Sequence, residues 1–218
     1  MPITELALLH LTPGMTLTSP TLRTNLSHAK TVLQNYTNRT FYYMQQISDP
    51  SCIYVVGEWD SLDQHMNDFI PSADNQALLE SLKDYITVDS NLEHLDVPNA
   101  ELPLPRGEEE LERARRGEQV WSITHYTIKG GKREAFEVQI REMKEKLDRI
   151  YFSGEGGIGG GWCVGKKEGE DDVFVTLFAW RTVAEYELFG KGKERKASAY
   201  TGECVERNDV KHVRLLDI

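Results

Sequence analysis

The stretch VGEWDSL at residues 56–62 decides how this chain divides, because the similar stretch LFAWRTV follows 121 residues later at 177–183. In both stretches an apolar run ends at a tryptophan, Trp59 or Trp180. Ser61 or Thr182, each able to cap a helix, stands two residues further on. The pattern indicates a buried strand that runs into a helix, and the chain contains it twice. The sequence therefore predicts an internal duplication.

The same order of elements is predicted around both stretches. In the first half, strands are predicted at 3–11, 41–47, 52–59 and 86–97, with helices at 20–35, from 62, and at 74–85. In the second half, strands are predicted at 119–128, 162–166, 173–180 and 210–217, with helices at 133–151 and from 183. Both halves have the order β-α-β-β-α-β of the ferredoxin-like fold.

The boundary between the halves is predicted at 98–118, where three prolines precede a run of mixed charges at 108–116. We expect a linker there, irregular around the prolines and solvated along the charged run, with domains at 1–97 and 119–218. A sheet with helices on one face needs a cover for its other face, and a second copy can supply one. The predicted class is α+β, with tandem units packed sheet to sheet.

The segment VVGEWDSLDQH at 55–65 resembles the antibiotic biosynthesis monooxygenase (ABM-like) branch of the dimeric α+β barrel superfamily, including fungal proteins with this domain in tandem. The resemblance implies an intramolecular dimeric α+β barrel. Members include cofactor-independent monooxygenases of aromatic polyketides, haem-degrading enzymes, and isomerases or cyclases. The haem-degrading members carry a histidine beyond the tryptophan. This chain has Phe69 and Gly190 near those places, so haem chemistry is not expected.

The resemblance also implies that a polar residue of the first strand and the tryptophan line a pocket. These positions are read as His10 with Trp59 and His125 with Trp180, and 115 residues separate the two histidines. Each histidine is a candidate general base, or else a core histidine with a satisfied partner. Each tryptophan is a candidate wall for an aromatic ligand, or else a packing anchor.

Other side chains are candidates for contacting a substrate. They are Trp121, Tyr126, Tyr43 and His65. The six histidines include no pair at HxxxH spacing, so no metal site is expected. The glycine-rich run at 154–161 follows a helix and opens a strand, unlike a phosphate-binding loop, and is expected as a pocket lid or a plain connector.

The charge distribution excludes several kinds of partner. The net charge is −10, and residues 1–97 hold 4 Lys and Arg against 12 Asp and Glu. Such a chain is a poor candidate for binding nucleic acid or an anionic membrane. The sequence has no long apolar run and no signal-peptide pattern, so a cytoplasmic location is expected. The sequence leaves open whether the chain forms a homodimer.

The expected function is that of a cofactor-independent monooxygenase of secondary metabolism, acting on an aromatic or polyketide-like molecule. A histidine would deprotonate the substrate, and the carbanion would react with O2. Two alternatives stay open. The same base could serve a cyclase or isomerase, or the pocket could belong to a non-catalytic protein that binds a hydrophobic ligand.

Overall fold

A computed structural model of the chain describes residues 1–151, 157–166, 169–185, 187 and 202–218. The chain divides into two units. The first comprises Met1–Asn99 together with Leu215–Ile218, and the second comprises Ala100–Arg214. Among the described residues, no helix is long and apolar enough to cross a membrane.

The first unit contains a four-stranded antiparallel sheet. Strand β1 (Ile3–Leu11) lies between β3 (Cys52–Trp59) and β4 (Ile86–Leu95), and β2 (Tyr42–Gln46) pairs with the other side of β3. The resulting order β4-β1-β3-β2 is the ferredoxin-like order. β1 and β3 begin and end at the residues predicted from the sequence, because apolar runs bounded by turn residues define both.

Helices of the first unit begin at side-chain caps. Helix α1 (Pro20–Thr37) follows Ser19, and α2 (Ala73–Leu82) follows Ser72; each serine hydroxyl accepts a hydrogen bond from the first turn. The segment predicted as a helix from residue 62 contains a π-helix, Gln64–Phe69, in which the Ile70 amide donates to the His65 carbonyl at 2.9 Å.

The second unit repeats this topology. Strand β5 (Val120–Ile128) lies between β7 (Asp172–Trp180) and β8 (Val205–Leu215), and β6 (Ile158–Val164) pairs with the other side of β7. Helix α3 (Gly107–Arg115) precedes β5, and α4 (Arg133–Tyr151) connects β5 to β6. A helical turn follows Thr182, whose hydroxyl accepts from the Glu185 amide at 3.1 Å. The predicted α+β class with ferredoxin-like units is confirmed.

The sequence-based expectation for the glycine-rich run at 154–161 needs correction. Gly159, Gly160 and Gly161 belong to β6 and not to a loop, and a Cβ at Gly159 would collide with the Glu101 carbonyl. The strand was expected to start only at residue 162 because a glycine-rich run favours a loop. Residues 154–156 of the run lie outside the described part of the chain.

The first part of the predicted linker at 98–118 contains buried residues. Leu102 and Leu104 are buried, and the Pro103 carbonyl accepts a hydrogen bond from Nε1 of Trp121 at 2.6 Å. The two leucines alternate with prolines, so the sequence does not show an apolar pattern here. Their buried side chains pack the segment within the second unit. From Arg106 to Glu118, a range that includes the charged α3, the segment is mostly exposed.

Candidate functional site

A buried carboxylate lies beside Trp59 in the first unit. Trp59 is opposite Ile3, and Glu5 stands two residues further along β1 on the same face of the sheet. Nε1 of Trp59 donates to Oε2 of Glu5 at 2.7 Å, and both side chains are buried. Burial raises the pKa of Glu5 to about 7, although the hydrogen bond from Trp59 acts in the opposite direction.

Two histidines extend this arrangement. The ring of His65 stacks on Trp59 with 4.0 Å between centroids and 6° between planes. Nε2 of His65 is 3.8 Å from Oε2 of Glu5, and its Nδ1 is 2.8 Å from Nε2 of His94, which stands opposite Glu5 on β4. We call Glu5, Trp59, His65 and His94 the Glu5 cluster.

Both histidines of the cluster are neutral at neutral pH. Burial and the neighbouring His94 lower the pKa of His65 to about 3, and burial lowers the pKa of His94. Two neutral imidazoles 2.8 Å apart share one N–H, so one ring donates to the other. This pairing turns the two nitrogens toward each other. Among the described residues, no group of three or more His, Cys, Asp or Glu side chains could hold a metal ion.

Aromatic rings enclose the Glu5 cluster. Tyr36, Phe41 and Phe69 contact Trp59 with centroid distances of 6.0, 5.8 and 5.1 Å. The Phe41 ring occupies the space that a side chain at Gly57 would fill. Burial and the charge of Glu5 raise the pKa of Tyr43, which places that phenol near the carboxylate. In this apolar shell, charges interact more strongly than in water.

The π-helix places His65 and Phe69 over Trp59. Ser61 caps the Gln64 amide through its hydroxyl at 3.1 Å, so the segment starts as the sequence predicts. Its wider turn then departs from the α-helix, and such π segments are frequent at functional sites. His65 covers one face of Trp59, so a ligand can stack there only when the π-helix moves aside.

His10 does not lie with Trp59. Its partner on β3 is Cys52, whereas Trp59 is opposite Ile3, and the side chains of His10 and Glu5 point to opposite faces of β1. Nδ1 of His10 is 3.5 Å from Sγ of Cys52. The strand-one residue that contacts the tryptophan is therefore Glu5, and the pairing expected from the sequence is corrected.

In the second unit, the predicted pairing of His125 with Trp180 is corrected in the same way. Trp180 is opposite Val120, and its Nε1 donates to Oγ of Ser122, two residues further along β5, at 3.0 Å. His125 lies on the other face of the sheet, opposite Val175 and Asp209. Ser122 is thus the structural equivalent of Glu5.

The strand registers also identify the repeated histidine. His94 is opposite Glu5, and His212 is opposite Ser122. The equivalent pair is therefore His94 with His212, and not His10 with His125. Burial lowers the pKa of His212, as it does that of His94.

The remaining predicted residues are dispersed. Trp121 is buried on the face of β5 opposite that of Trp180. Tyr126 packs on Phe136 with 5.6 Å between centroids. Of the predicted site residues, the structure brings together Trp59, His65 and Tyr43.

Glu5 and His94 are not among the site residues predicted from the sequence. Glu5 is the only Asp, Glu, Lys or Arg in β1, and it has the strand parity of Trp59, so a charge within an apolar strand was the available signal. His94 carries no comparable signal, because only the register of β4 shows that it is opposite Glu5.

The second unit also contains a cavity of about 590 Å³. Trp180 and Ile158 contribute to its lining from the sheet, Lys144 from α4, and Leu102 and Arg113 from the segment before β5. Trp180 therefore lines this cavity, whereas His10 and His125 do not line it.

Comparisons with known proteins identify the fold. No family model matches the chain, and neither does any curated protein. A proposed monooxygenase from Lactobacillus acidophilus is similar over 99% of both chains, with 12% identity and a TM-score of 0.62. An anthrone oxidase-like protein is similar over 99% of this chain and 92% of its own, with 9% identity and a TM-score of 0.62.

A variant of chlorite dismutase from Candidatus Nitrospira defluvii is also similar. The match covers 99% of this chain and 91% of the other, with 11% identity and a TM-score of 0.55. At these identities the likeness concerns the fold alone. The chain shares its α+β fold of ferredoxin-like units with these proteins across nearly its whole length.

Proposed function

We propose that this chain is a cofactor-independent monooxygenase of secondary metabolism that oxidises an aromatic or polyketide-like molecule with Glu5 as its general base. The observation that carries the proposal is a buried carboxylate with a pKa of about 7 beside Trp59. A base is most useful when its pKa lies near the working pH, and Glu5 meets that condition while an ordinary glutamate does not.

The reaction balances without a cofactor. The Glu5 carboxylate removes a proton from an acidic C–H of the substrate, whose carbanion passes one electron to O2. The resulting radical pair combines to a peroxide, which is protonated. Loss of water then converts the substrate CH2 into a carbonyl, so one O2 supplies one carbonyl oxygen and one water oxygen. An anthrone has such a CH2 between aromatic rings, and the anthrone oxidase-like neighbour supports this substrate class.

His65 and His94 have a role in moving the proton. Nε2 of His65 is 3.8 Å from the carboxylate, and its Nδ1 bonds to His94. After the product has left and His65 again lies over Trp59, a proton on Glu5 can pass through the two neutral rings without creating a lasting buried charge. Substrate reaches Glu5 when the π-helix carries His65 away from Trp59, and the ligand ring then takes the place of the imidazole.

Oxygen uptake with a hydroxyanthrone tests the proposal. We expect the wild-type protein to consume one O2 for each carbonyl formed, with kcat/KM rising with pH through about 7 as Glu5 ionises. The variant Glu5→Gln keeps an oxygen that accepts from Trp59 but cannot act as a base. Turnover that Glu5→Gln leaves unchanged would contradict the assignment.

The same assay separates the alternatives. Product formation without O2 uptake would indicate a cyclase or isomerase, and binding without turnover would indicate a ligand-binding protein. The variants His10→Ala and His125→Ala test the bases predicted from the sequence. Under the present proposal neither substitution lowers the rate appreciably, because both side chains lie on sheet faces away from the tryptophans.

A further inference from the structure

The cavity of the second unit combines an apolar floor with a charged rim. The buried side chains of Trp180, Leu102, Leu104 and Ile158 supply the apolar part. The volume of about 590 Å³ falls within the range of roughly 300–1,000 Å³ that is usual for small-molecule sites. The site requires nothing from the Glu5 cluster, which belongs to the other unit.

Two of the cations around the cavity already have partners. Arg181 forms a salt bridge with Glu185 at 2.9 Å, and the Glu185 carboxylate also accepts from the Arg181 amide at 2.8 Å. Arg106 donates to the carbonyls of Ala100 and Leu102, which holds the wall formed by the segment before α3. These contacts shape the cavity and leave the two guanidinium groups engaged.

Two other cations on the rim form no salt bridge in the part of the chain that the structure describes. Within the described residues, neither Arg113 nor Lys144 forms a salt bridge, although both line the cavity. Of the carboxylates around the same cavity, Glu118 pairs with Arg116 at 2.7 Å, Glu185 pairs with Arg181, and Glu110 accepts from the Arg106 amide. Besides the hydrogen bond from Arg116, the charge of Arg113 also lowers the pKa of Glu118, so Arg113 lies near that carboxylate without forming a salt bridge with it. Arg113 and Lys144 are therefore the cations of the rim that can still form a salt bridge with a bound anion.

We infer that this cavity binds an aromatic carboxylate. The ring lies on the apolar floor beside Trp180, and the carboxylate lies between Arg113 and Lys144. A neutral ligand of the same shape makes the apolar contacts with the floor but no ionic contacts with the two cations. A cationic ligand meets Arg113 and Lys144 as like charges.

Isothermal titration calorimetry with 2-naphthoate tests this inference. The neutral comparison ligand is 2-naphthalenemethanol, which has the same ring system without the charge. The test variant is the double substitution Arg113→Gln with Lys144→Gln. The control is Arg141→Gln, which removes a charge from an exposed position of α4 that does not line the cavity.

We expect 2-naphthoate to bind about tenfold or more tightly than the alcohol at low salt, since hydrogen bonds between charged groups are about twice as strong as those between neutral groups. The double variant should lose that preference, whereas Arg141→Gln and Glu5→Gln should keep it. Equal binding of both ligands, an unchanged preference in the double variant, or no binding of 2-naphthoate would each overturn the inference. Retained binding in Glu5→Gln separates this site from the proposed oxygenase site. Thermal unfolding of each variant verifies that it is folded.

Discussion

The two tryptophans that end β3 and β7 occupy equivalent positions but differ in their acceptors. Trp59 donates to the carboxylate of Glu5, and Trp180 donates to the hydroxyl of Ser122. A hydroxyl can accept from a buried indole N–H, and its burial costs little free energy. Burying a carboxylate costs much more free energy, because its charge loses its hydration. The first unit therefore keeps a titratable group that packing does not require, and the proposed function assigns the chemistry to this unit.

The surroundings of the two tryptophans also differ, with titratable neighbours in the first unit and an apolar neighbour in the second. Trp59 stacks on His65, which bonds to His94, whereas Trp180 stacks on Phe178 with 4.5 Å between centroids and 9° between planes. The cavity lies beside Trp180 and not beside Glu5. We interpret the first unit as the reactive one and the second as a binding unit.

The largest expected effect concerns catalysis. Glu5→Gln should lower kcat/KM for oxygen uptake by about 10²–10⁴-fold, which is the usual contribution of a general base. Ser122→Ala should change it by less than about twofold, since no base is removed. Measuring both variants with one hydroxyanthrone tests the comparison. Equal losses in the two variants would mean that the units share the chemistry.

The next effect concerns stability against pH. The folded-state pKa of Glu5, about 7, lies above the ordinary value of 4.5, so the folded protein binds the proton more tightly than the unfolded chain does. The stabilisation is complete below pH 4.5 and is lost as the pH rises through 7. The loss amounts to about 3 kcal/mol at 1.36 kcal/mol per pKa unit. The lowered pKa values of His65, His94 and His212 change stability in the opposite direction over part of this range, so the loss is measured as a difference between variants. In urea unfolding from pH 4.5 to 8, the free energy of unfolding of the wild type should fall by this amount relative to that of Glu5→Gln, and Ser122→Ala should follow the wild type.

A smaller effect is expected at the stacked histidine. His65→Leu removes the imidazole that bonds to His94 and leaves a buried ring nitrogen without its partner. The expected cost is about 1–3 kcal/mol of unfolding free energy. His94→Leu serves as the matched variant, and a double-mutant cycle isolates their coupling. Additive losses would contradict a bond between the rings.

The smallest effect is expected at Ser122. Ser122→Ala removes the hydroxyl that accepts from Trp180, with an expected cost of about 1 kcal/mol. Urea unfolding at pH 6 measures it, and Thr124→Val, a change on the same face of β5, provides a control. A loss above that of His65→Leu would place the more important polar contact in the second unit.

Much of the fold could be predicted from the sequence. The apolar runs of β1 and β3 and the caps of the helices are local signals, and the tryptophan pair marked the duplication correctly. The π-helix could not be predicted, because Gln64–Phe69 has the composition of an ordinary helix start. The burial of Leu102 and Leu104 was hidden by the neighbouring prolines and charges.

The candidate site was only partly predictable, for a reason that lies in strand geometry. Matching His10 to His125 places the first strands two residues out of register, which preserves the face of the sheet and so leaves no conflict in the hydrophobic pattern. Only the pairing of Trp59 with Ile3 and of Trp180 with Val120 shows that Glu5 corresponds to Ser122. A buried carboxylate such as Glu5 is recognised from its neighbours, which a single sequence does not reveal.

The titration of Glu5 tests the central claim most directly. Carbon-detected NMR of side-chain carboxyl groups, measured on the wild type and on Glu5→Gln between pH 3 and 9, follows each glutamate separately. We predict one glutamate that titrates near pH 7 and is missing from the Glu5→Gln spectrum. If every glutamate titrates near the ordinary value of about 4.3, Glu5 is no base at neutral pH and the account is contradicted.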